Sequence, residues 1–525
     1  MKTHTFLSAL VFSLSLGIQA QPKESKLVVN VSDTGVVISK DIYGHFAEHL
    51  GTCIYGGIWV GEKSSIPNTR GIRNDVVAAL KKIHAPAVRW PGGCFADGYH
   101  WMEGIGPRDK RPKLVNTTWG GVTEDNSFGT HEFMDFCEQI GAEPYICGNI
   151  GSGTVKEMAD WVQYLTSDGE TPMAELRKMN GRDESWKVRY WAMGNETWGC
   201  GGIMSADYYA NEMAKYSYSL KNYGKTQLYK VASGGLPEDY NWTETIMKKW
   251  SAADGWLQGF LSGYSLHFYA VNDWNKKGSA TNFNEADWFA SISKNLEIDE
   301  LIAKHSAIMD KHDSLKKIGL VVDEWGNWFD VEPGTNPSFL YQQNTMRDAV
   351  TAAVNLNIFN NHADRVKMAN IAQLVNVLQS LILTDGPKMV LTPTYHVFDL
   401  FKVHQNAKLL PVKLEATDYE LGGKKIPAVN CSASIDETGK IHISLVNTNY
   451  AKPQDVSCSL EHFTPGRVTG QILVSEEATA HNTFENPNAV SPAKFTGVKV
   501  SGQTLKIHLP SKCVVVLEIE GELSK

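Results

Sequence analysis

Apolar residues through the first three quarters of the chain switch repeatedly between two periods. Ile72, Val76, Leu80 and Ile83 recur at the spacing of one helix face, Thr69 stands where a helix cap belongs, and Pro86 breaks the pattern before the β-rich run at 87–90. The next unit repeats the logic. Phe133, Phe136, Cys137 and Ile140 make a second apolar face, Gly141 occupies a C-terminal cap position, and residues 145–147 read as strand. Further strands are predicted at 41–47, 188–194, 228–233, 264–269, 318–323 and 366–375, with a helix over about 296–315. The last strand is ambiguous, because Met368, Ile371, Leu374, Val375 and Leu378 also fit a helix face. Eight such units predict a (β/α)8 barrel, an α/β fold whose active residues belong at the C-terminal ends of the strands.

Past residue 388 the period becomes two. The runs at 440–447, 470–475, 497–502 and 504–509 alternate apolar and polar residues between Gly, Pro and Asn, as in an antiparallel β-sandwich. Residues 26–38 are also strand-like. The expected organisation is a catalytic barrel over 41–387 and a sandwich over 388–525, with the N-terminal strands of 21–40 pairing with the sandwich. Residues 1–20 read as a secretory signal: Lys2, an apolar stretch at 6–18, and Ala20 closing a cleavage site, with Ile18 where a small residue is preferred. That stretch is too short to span a membrane, so the expectation is an exported protein, periplasmic or extracellular.

Composition narrows the function classes. With 525 residues, 45 Gly, 20 Pro and 42% hydrophobic residues, the chain is neither collagen-like, disordered nor coiled-coil. A net charge of −8 without a basic stripe argues against a nucleic-acid partner and suits a neutral substrate. The eight cysteines form no CxxC pair, so zinc-ribbon and thioredoxin readings fail, and buried thiols are expected for most of them.

Two acidic motifs stop where apolar strands end. YWAMGNETW (190–198) sets Glu196 behind Asn195, and VVDEWGNW (321–328) sets Asp323 and Glu324 after aliphatic residues. Two adjacent acids in such a place should face a polar pocket, since burying them unpaired is costly. A pair such as Glu196 and Glu324, 128 residues apart on the fourth and seventh strands, is the minimum for glycoside hydrolysis. The bland reading of Glu196 is a surface residue capping the next helix. Glu48, Arg89, Asn149, His267, Tyr269 and Trp101 recur near strand ends and suit sugar hydroxyls and sugar faces.

The ordered set GHFAEHLG, RWPGG, YWAMGNE, HFY, VDEWGNW and NIAQLVN resembles glycoside hydrolase family 51, the α-L-arabinofuranosidases, over nearly the whole chain. The resemblance implies a barrel with a C-terminal β-sandwich, no metal or other cofactor, and removal of terminal α-L-arabinofuranosyl residues from arabinoxylan, arabinan or their oligosaccharides with retention. It implies Glu196 as acid/base, Glu324 as nucleophile, and Glu48, Arg89, Asn195, Tyr269 and Gln373 around the sugar, to which the strand-end reading above adds His267 as substrate-binding; Gln373 favours the strand reading of 366–375. Family precedent also favours a homo-oligomer. One departure stands out: many members carry Asn after RWPGG, where this chain has Cys94. Cys94 and Cys200, both near strand ends on the expected rim, are either a disulfide or close pair, or two unrelated thiols. Three rival readings are an endo-β-1,4-glucanase or xylanase on the same barrel, a non-catalytic sugar-binding protein, and a metal-dependent hydrolase using His45, His49, His100 and His267.

Overall fold

The computed structural model describes residues 24–524 except 34, 225 and 254–258; the expected signal segment lies outside them. Eight parallel strands close into a barrel: β1 (Gly44–Phe46), β2 (Ala87–Trp90), β3 (Glu143–Gly148), β4 (Tyr190–Met193), β5 (Tyr229–Ala232), β6 (Gly263–Ala270), β7 (Gly319–Asn327) and β8 (Val366–Ala372). Tyr145, Cys147, Ala192, Val231, Val321 and Met368 fill its interior, so the barrel is a packed core and not a pore. The run at 366–375 is therefore a strand, as β8 pairs in parallel with both β7 and β1.

Most local signals hold, and three shift. Gly141 caps the helix Thr130–Ile140 with φ of 78°, a left-handed conformation that glycine adopts without penalty. Thr69 is not a helix cap. Asn68–Thr69 pairs with Ile72–Arg73 in a small hairpin, the helix begins at Asn74, and the Thr69 hydroxyl donates to Asn74 Oδ1. Lys40–Tyr43 is a 3-10 turn, which leaves only Gly44–Phe46 of the expected first strand. The helix before β7 begins earlier than its apolar pattern suggests, at Glu285, because the Asn284 side chain caps it and Asp287 caps back.

The second layer is a sandwich of one five-stranded and one six-stranded sheet around a core of Leu27, Leu445, Leu460, Ile507 and Leu517. The sheets are antiparallel but for one pair. Ser25–Asn30 lies antiparallel to Val412–Glu415 and parallel to Gln454–Glu461. The eighth barrel helix, Pro393–Phe401, comes after residue 387, so the expected boundary at 387/388 falls ahead of it. Helix Met346–Asn361 is sandwiched between barrel and six-stranded sheet; its Asn357 bonds to Asn430, Ser432 and Ser444, satisfying polar groups in a buried contact.

Candidate active site

The turn after β4 presents Glu196. Gly194 turns the chain with φ of 85°, where a Cβ would lie 2.2 Å from Ile150 Cγ2. Glu196 has φ of 40°, uncommon for a residue with a side chain and a mark of functional turns. Asp97, which the motifs did not single out, holds this turn. Its buried carboxylate accepts from the backbone N–H groups of Asn195 (2.9 Å), Ile150 (2.8 Å) and Gly151 (2.9 Å). Burial pushes its pKa up to about 7 against those donors.

A bulge in β7 delivers both acids of the VVDEW motif to the interior. Ser265 pairs with Val321 and His267 with Glu324, so β7 carries one more residue than β6 between those pairs; the register against β8 shifts at the same place. In an unbroken strand neighbours face opposite ways. Here Asp323 accepts from the Tyr145 hydroxyl (2.7 Å) and the Ser265 hydroxyl, while Glu324 accepts from Arg89 Nη1 (2.7 Å) and the Tyr269 hydroxyl (2.7 Å). Trp325 then points outward and packs edge-on against Phe359.

Arg89 ties the acidic strands together. Its Nη2 donates to Asn195 Oδ1 at 2.6 Å, and its Nε stands 3.6 Å from Asp323 Oδ2. Although burial opposes its charge, the Glu324 and Asp323 carboxylates help to hold its pKa well above the usual value. The two glycines of RWPGG serve close approach, since a Cβ on Gly93 would lie 2.9 Å from Glu324 Oε1 and one on Gly92 2.8 Å from Glu48 Cγ.

His267 sits among three carboxylates. Nδ1 is 3.0 Å from Glu196 Oε1 and 3.6 Å from Glu324 Oε1, and Nε2 is 3.3 Å from Asp323 Oδ1. Burial alone would lower its pKa, but the Glu324 charge and the bonds to Asp323 and Glu196 push it up to about 10. The ring is an imidazolium near neutral pH, with its nitrogens turned to acids. Asp323 is held down at about 2: burial is outweighed by Arg89 and His267. One oxygen of Glu196, one ring nitrogen of His267 and one oxygen of Glu324 lie within 4.8 Å of one another.

Glu48 and Gln373 meet across the β1–β8 seam, with Gln373 Nε2 donating to Glu48 Oε2 at 2.9 Å. Glu48 Oε1 accepts from Gly93 N, Phe95 N and Trp119 Nε1, each within 3.1 Å. Burial, then the Glu324 charge, pushes the Glu48 carboxyl up to about 7 from 4.5 despite these donors. A carboxyl raised on folding supports the fold while protonated, and that support is lost as pH rises from about 4.5 through 7. Glu48→Gln can keep its oxygen on the three donors if the Gln373 amide, whose Oε1 is buried without a partner, turns over. We expect this variant to melt higher than wild type at pH 8, with the gap closing below pH 4.5. Melting temperatures measured across pH check it.

Glu48, Asn195, Glu196, His267, Tyr269, Glu324 and Gln373 line a cleft of about 820 Å³ whose walls also carry Trp119, Trp198, Trp274 and Trp328, while Arg89, Asp97 and Asp323 lie buried behind them. The structure thus brings Glu48, Arg89, Asn195, Glu196, His267, Tyr269, Glu324 and Gln373 together. Asn149 and Trp101 do not join them: Asn149 closes its own loop through Ser152 and Gly153, and Trp101 is buried against Trp161. Nor do the four histidines of the metal reading converge. His45 is buried against Phe398, His49 bonds to Glu124 and Trp90, and His100 bonds to Glu157. Cys94 and Cys200 form a disulfide, while the other six cysteines are buried and free. Trp119 was missed because it lies on a long loop after β2 where no periodic pattern exists. Asp97 carries no signal beyond its nearness to RWPGG.

Comparison with known proteins agrees with this geometry. Residues 79–286 match the family model described as the α-L-arabinofuranosidase 1 domain, and residues 323–512 match the α-L-arabinofuranosidase C-terminal domain. A Bacteroides ovatus protein named intracellular exo-α-L-arabinofuranosidase is 49% identical over 99% of this chain and 100% of its own. The crystal structure of a family 51 arabinofuranosidase from Xanthomonas axonopodis pv. citri has a TM-score of 0.92 at 48% identity, covering 95% of this chain and 100% of that one. An α-L-arabinofuranosidase from Thermotoga maritima, solved as an arabinose complex, has a TM-score of 0.80 at 31% identity, covering 95% and 100%.

The Bacteroides relative also corrects the expectation of export, because a protein alike from end to end is named intracellular. The apolar stretch at 6–18 was a compositional signal only, and Ile18 already broke the small-residue rule of a cleavage site. Taken with the barrel, the sandwich and the paired glutamates, these matches mean that the chain belongs to the α-L-arabinofuranosidases of glycoside hydrolase family 51.

Proposed function

We propose that this chain removes non-reducing terminal α-L-arabinofuranosyl residues from arabinoxylan, arabinan or their oligosaccharides by double displacement, with Glu324 as nucleophile and Glu196 as acid/base. The observation that carries the reading is the spacing of the two carboxylates, whose nearest oxygens stand within 4.8 Å across the cleft. Retaining glycosidases hold their carboxyl groups about 5–5.5 Å apart, whereas inverting ones need about 6.5–9.5 Å to admit a water.

In the first step a Glu324 oxygen bonds to the anomeric carbon, the glycosidic C–O bond breaks, and Glu196 passes its proton to the leaving oxygen. In the second, Glu196 takes a proton from water, whose oxygen displaces Glu324. Arg89 and Tyr269 support charge on Glu324 through short bonds, and the Asn195 and Glu48 side chains face the sugar hydroxyls. His267 acts on the glutamates more directly than on the sugar, since its nitrogens are turned to acids.

Among the rival readings, the glucanase or xylanase is disfavoured by relatives that are named arabinofuranosidases, and the non-catalytic reading by the retention of both glutamates. Proton NMR on an aryl α-L-arabinofuranoside, followed before mutarotation, tests the mechanism. The α-anomer is expected first; a β-anomer would mean that Glu324 activates water and that the double displacement is wrong.

A further inference from the structure

Two sulfurs stand against Glu196 on the rim of the cleft. Cys94 opens the 3-10 turn Cys94–Gly98 after β2, and Cys200 lies on the loop that begins at Glu196. Cys94 Sγ is 4.0 Å and Cys200 Sγ 3.8 Å from Glu196 Oε2. The two sulfurs and one oxygen of this carboxylate all lie within 4.8 Å of one another. Cys200 is exposed and Cys94 partly so, which leaves their disulfide open to a small thiol from solvent.

We propose that reduction of Cys94–Cys200 converts this rim into a site for a thiophilic divalent cation such as zinc, held by two thiolates and the Glu196 carboxylate, and that the ion stops hydrolysis. Two small-molecule thiols supply two electrons and two protons, become a disulfide themselves, and leave Cys94 and Cys200 as thiols. Both protons depart when the ion binds. A tetrahedral zinc has Zn–S near 2.3 Å and Zn–O near 2.0–2.2 Å, which sets sulfur–oxygen edges at about 3.5–3.7 Å and the sulfur–sulfur edge at about 3.8 Å. The sulfur–oxygen distances are already within a few tenths of an ångström of that figure, so the main change is separation of the sulfurs.

Surrounding groups suit the site. Asn195 Nδ2 lies 3.7 Å from Cys200 Sγ, an N–H placed to steady a thiolate, and Arg89 fixes that amide through its oxygen. His267 holds the other Glu196 oxygen, which leaves Oε2 toward the sulfurs. The remaining six cysteines are buried and do not compete. Binding itself needs nothing from the proposed mechanism; only the loss of hydrolysis rests on Glu196 being the acid/base.

The test reduces the whole enzyme anaerobically with a phosphine, removes the phosphine, and adds cobalt(II) as a coloured stand-in for zinc. One cobalt per chain with thiolate-to-metal charge-transfer absorption is expected, displaced by zinc. Zinc should then lower hydrolysis of glycosides with poor leaving groups about 100-fold in the reduced enzyme, reversibly with EDTA, and leave the oxidised enzyme insensitive. Cys94→Ser and Cys200→Ser should each lose the thiolate band, and each is scored by its own rate with and without zinc. No band from reduced enzyme whose two rim thiols titrate as free overturns the site. Equal inhibition of oxidised and reduced enzyme also overturns it, and assigns the ion to the sulfur-free set Glu196, His267 and Glu324. A thiolate band with unimpaired hydrolysis keeps the site, refutes the inhibition and counts against the acid/base assignment.

Discussion

Glu324→Ala is expected to lose at least about 10⁴-fold in kcat on every arabinofuranoside, activated or not, because both steps pass through a bond to this carboxylate. Sodium azide should return part of the turnover on an activated aryl substrate by occupying the vacated space, and its product should be the β-azide, formed by one inversion. The substitution also removes one of the two carboxylates that face the buried Arg89 guanidinium, the one at 2.7 Å, leaving Asp323 and Asn195, so some loss of stability is expected. Glu324→Gln keeps the shape and a partner for Arg89. It should stay folded by circular dichroism and remain as inactive as the alanine variant. A folded glutamine variant with substantial activity, or an α-azide from the alanine variant, would remove Glu324 from the nucleophile role.

The second large effect is selective. Glu196→Ala should cost roughly 10²–10⁴-fold on natural glycosides, whose leaving oxygen needs a proton, and far less in the first step on nitrophenyl substrates, which leave unaided. On those activated substrates water attack becomes the slow step, so a burst of nitrophenol should appear, and azide should speed turnover to an α-azide after two inversions. Glu196 carries a left-handed backbone, so alanine at this position changes little in strain, and the loss should be of the carboxylate alone. Equal damage to both substrate classes, without a burst, would show that Glu196 does not move the proton.

Chain-local information revealed the units of this fold. Ile72, Val76, Leu80 and Ile83 announce a helix, Gly141 its neighbour's end, and the period-two runs after residue 388 the sandwich, because each depends on side-chain spacing along a few turns or one strand. The same holds for Glu196 and Glu324, whose place behind an apolar strand is a statement about neighbouring residues. Where the pattern misled, a longer-range contact had taken over. Thr69 is drawn into a hairpin instead of capping a helix, and Asn149 spends its amide on its own loop.

What the sequence determined by itself, then, was the order of βα units, the sandwich that follows them, and which acids end which strands. Only the closed barrel decided how those acids meet. Glu48 and Gln373 are 325 positions apart and touch because β8 returns beside β1. Asp323 joins Glu324 inside because β7 bulges against both neighbours, and Asp97 holds the Glu196 turn from another strand's loop. Cys94 and Cys200 become partners only when the loops after β2 and β4 are laid side by side. The proton on His267 likewise belongs to no local pattern, since three carboxylates from two other strands hold it there. Spacing along a chain records what a residue does to its near neighbours, whereas charge, burial and hydrogen bonding in this cleft come from groups that only closure of the barrel brings within a few ångströms.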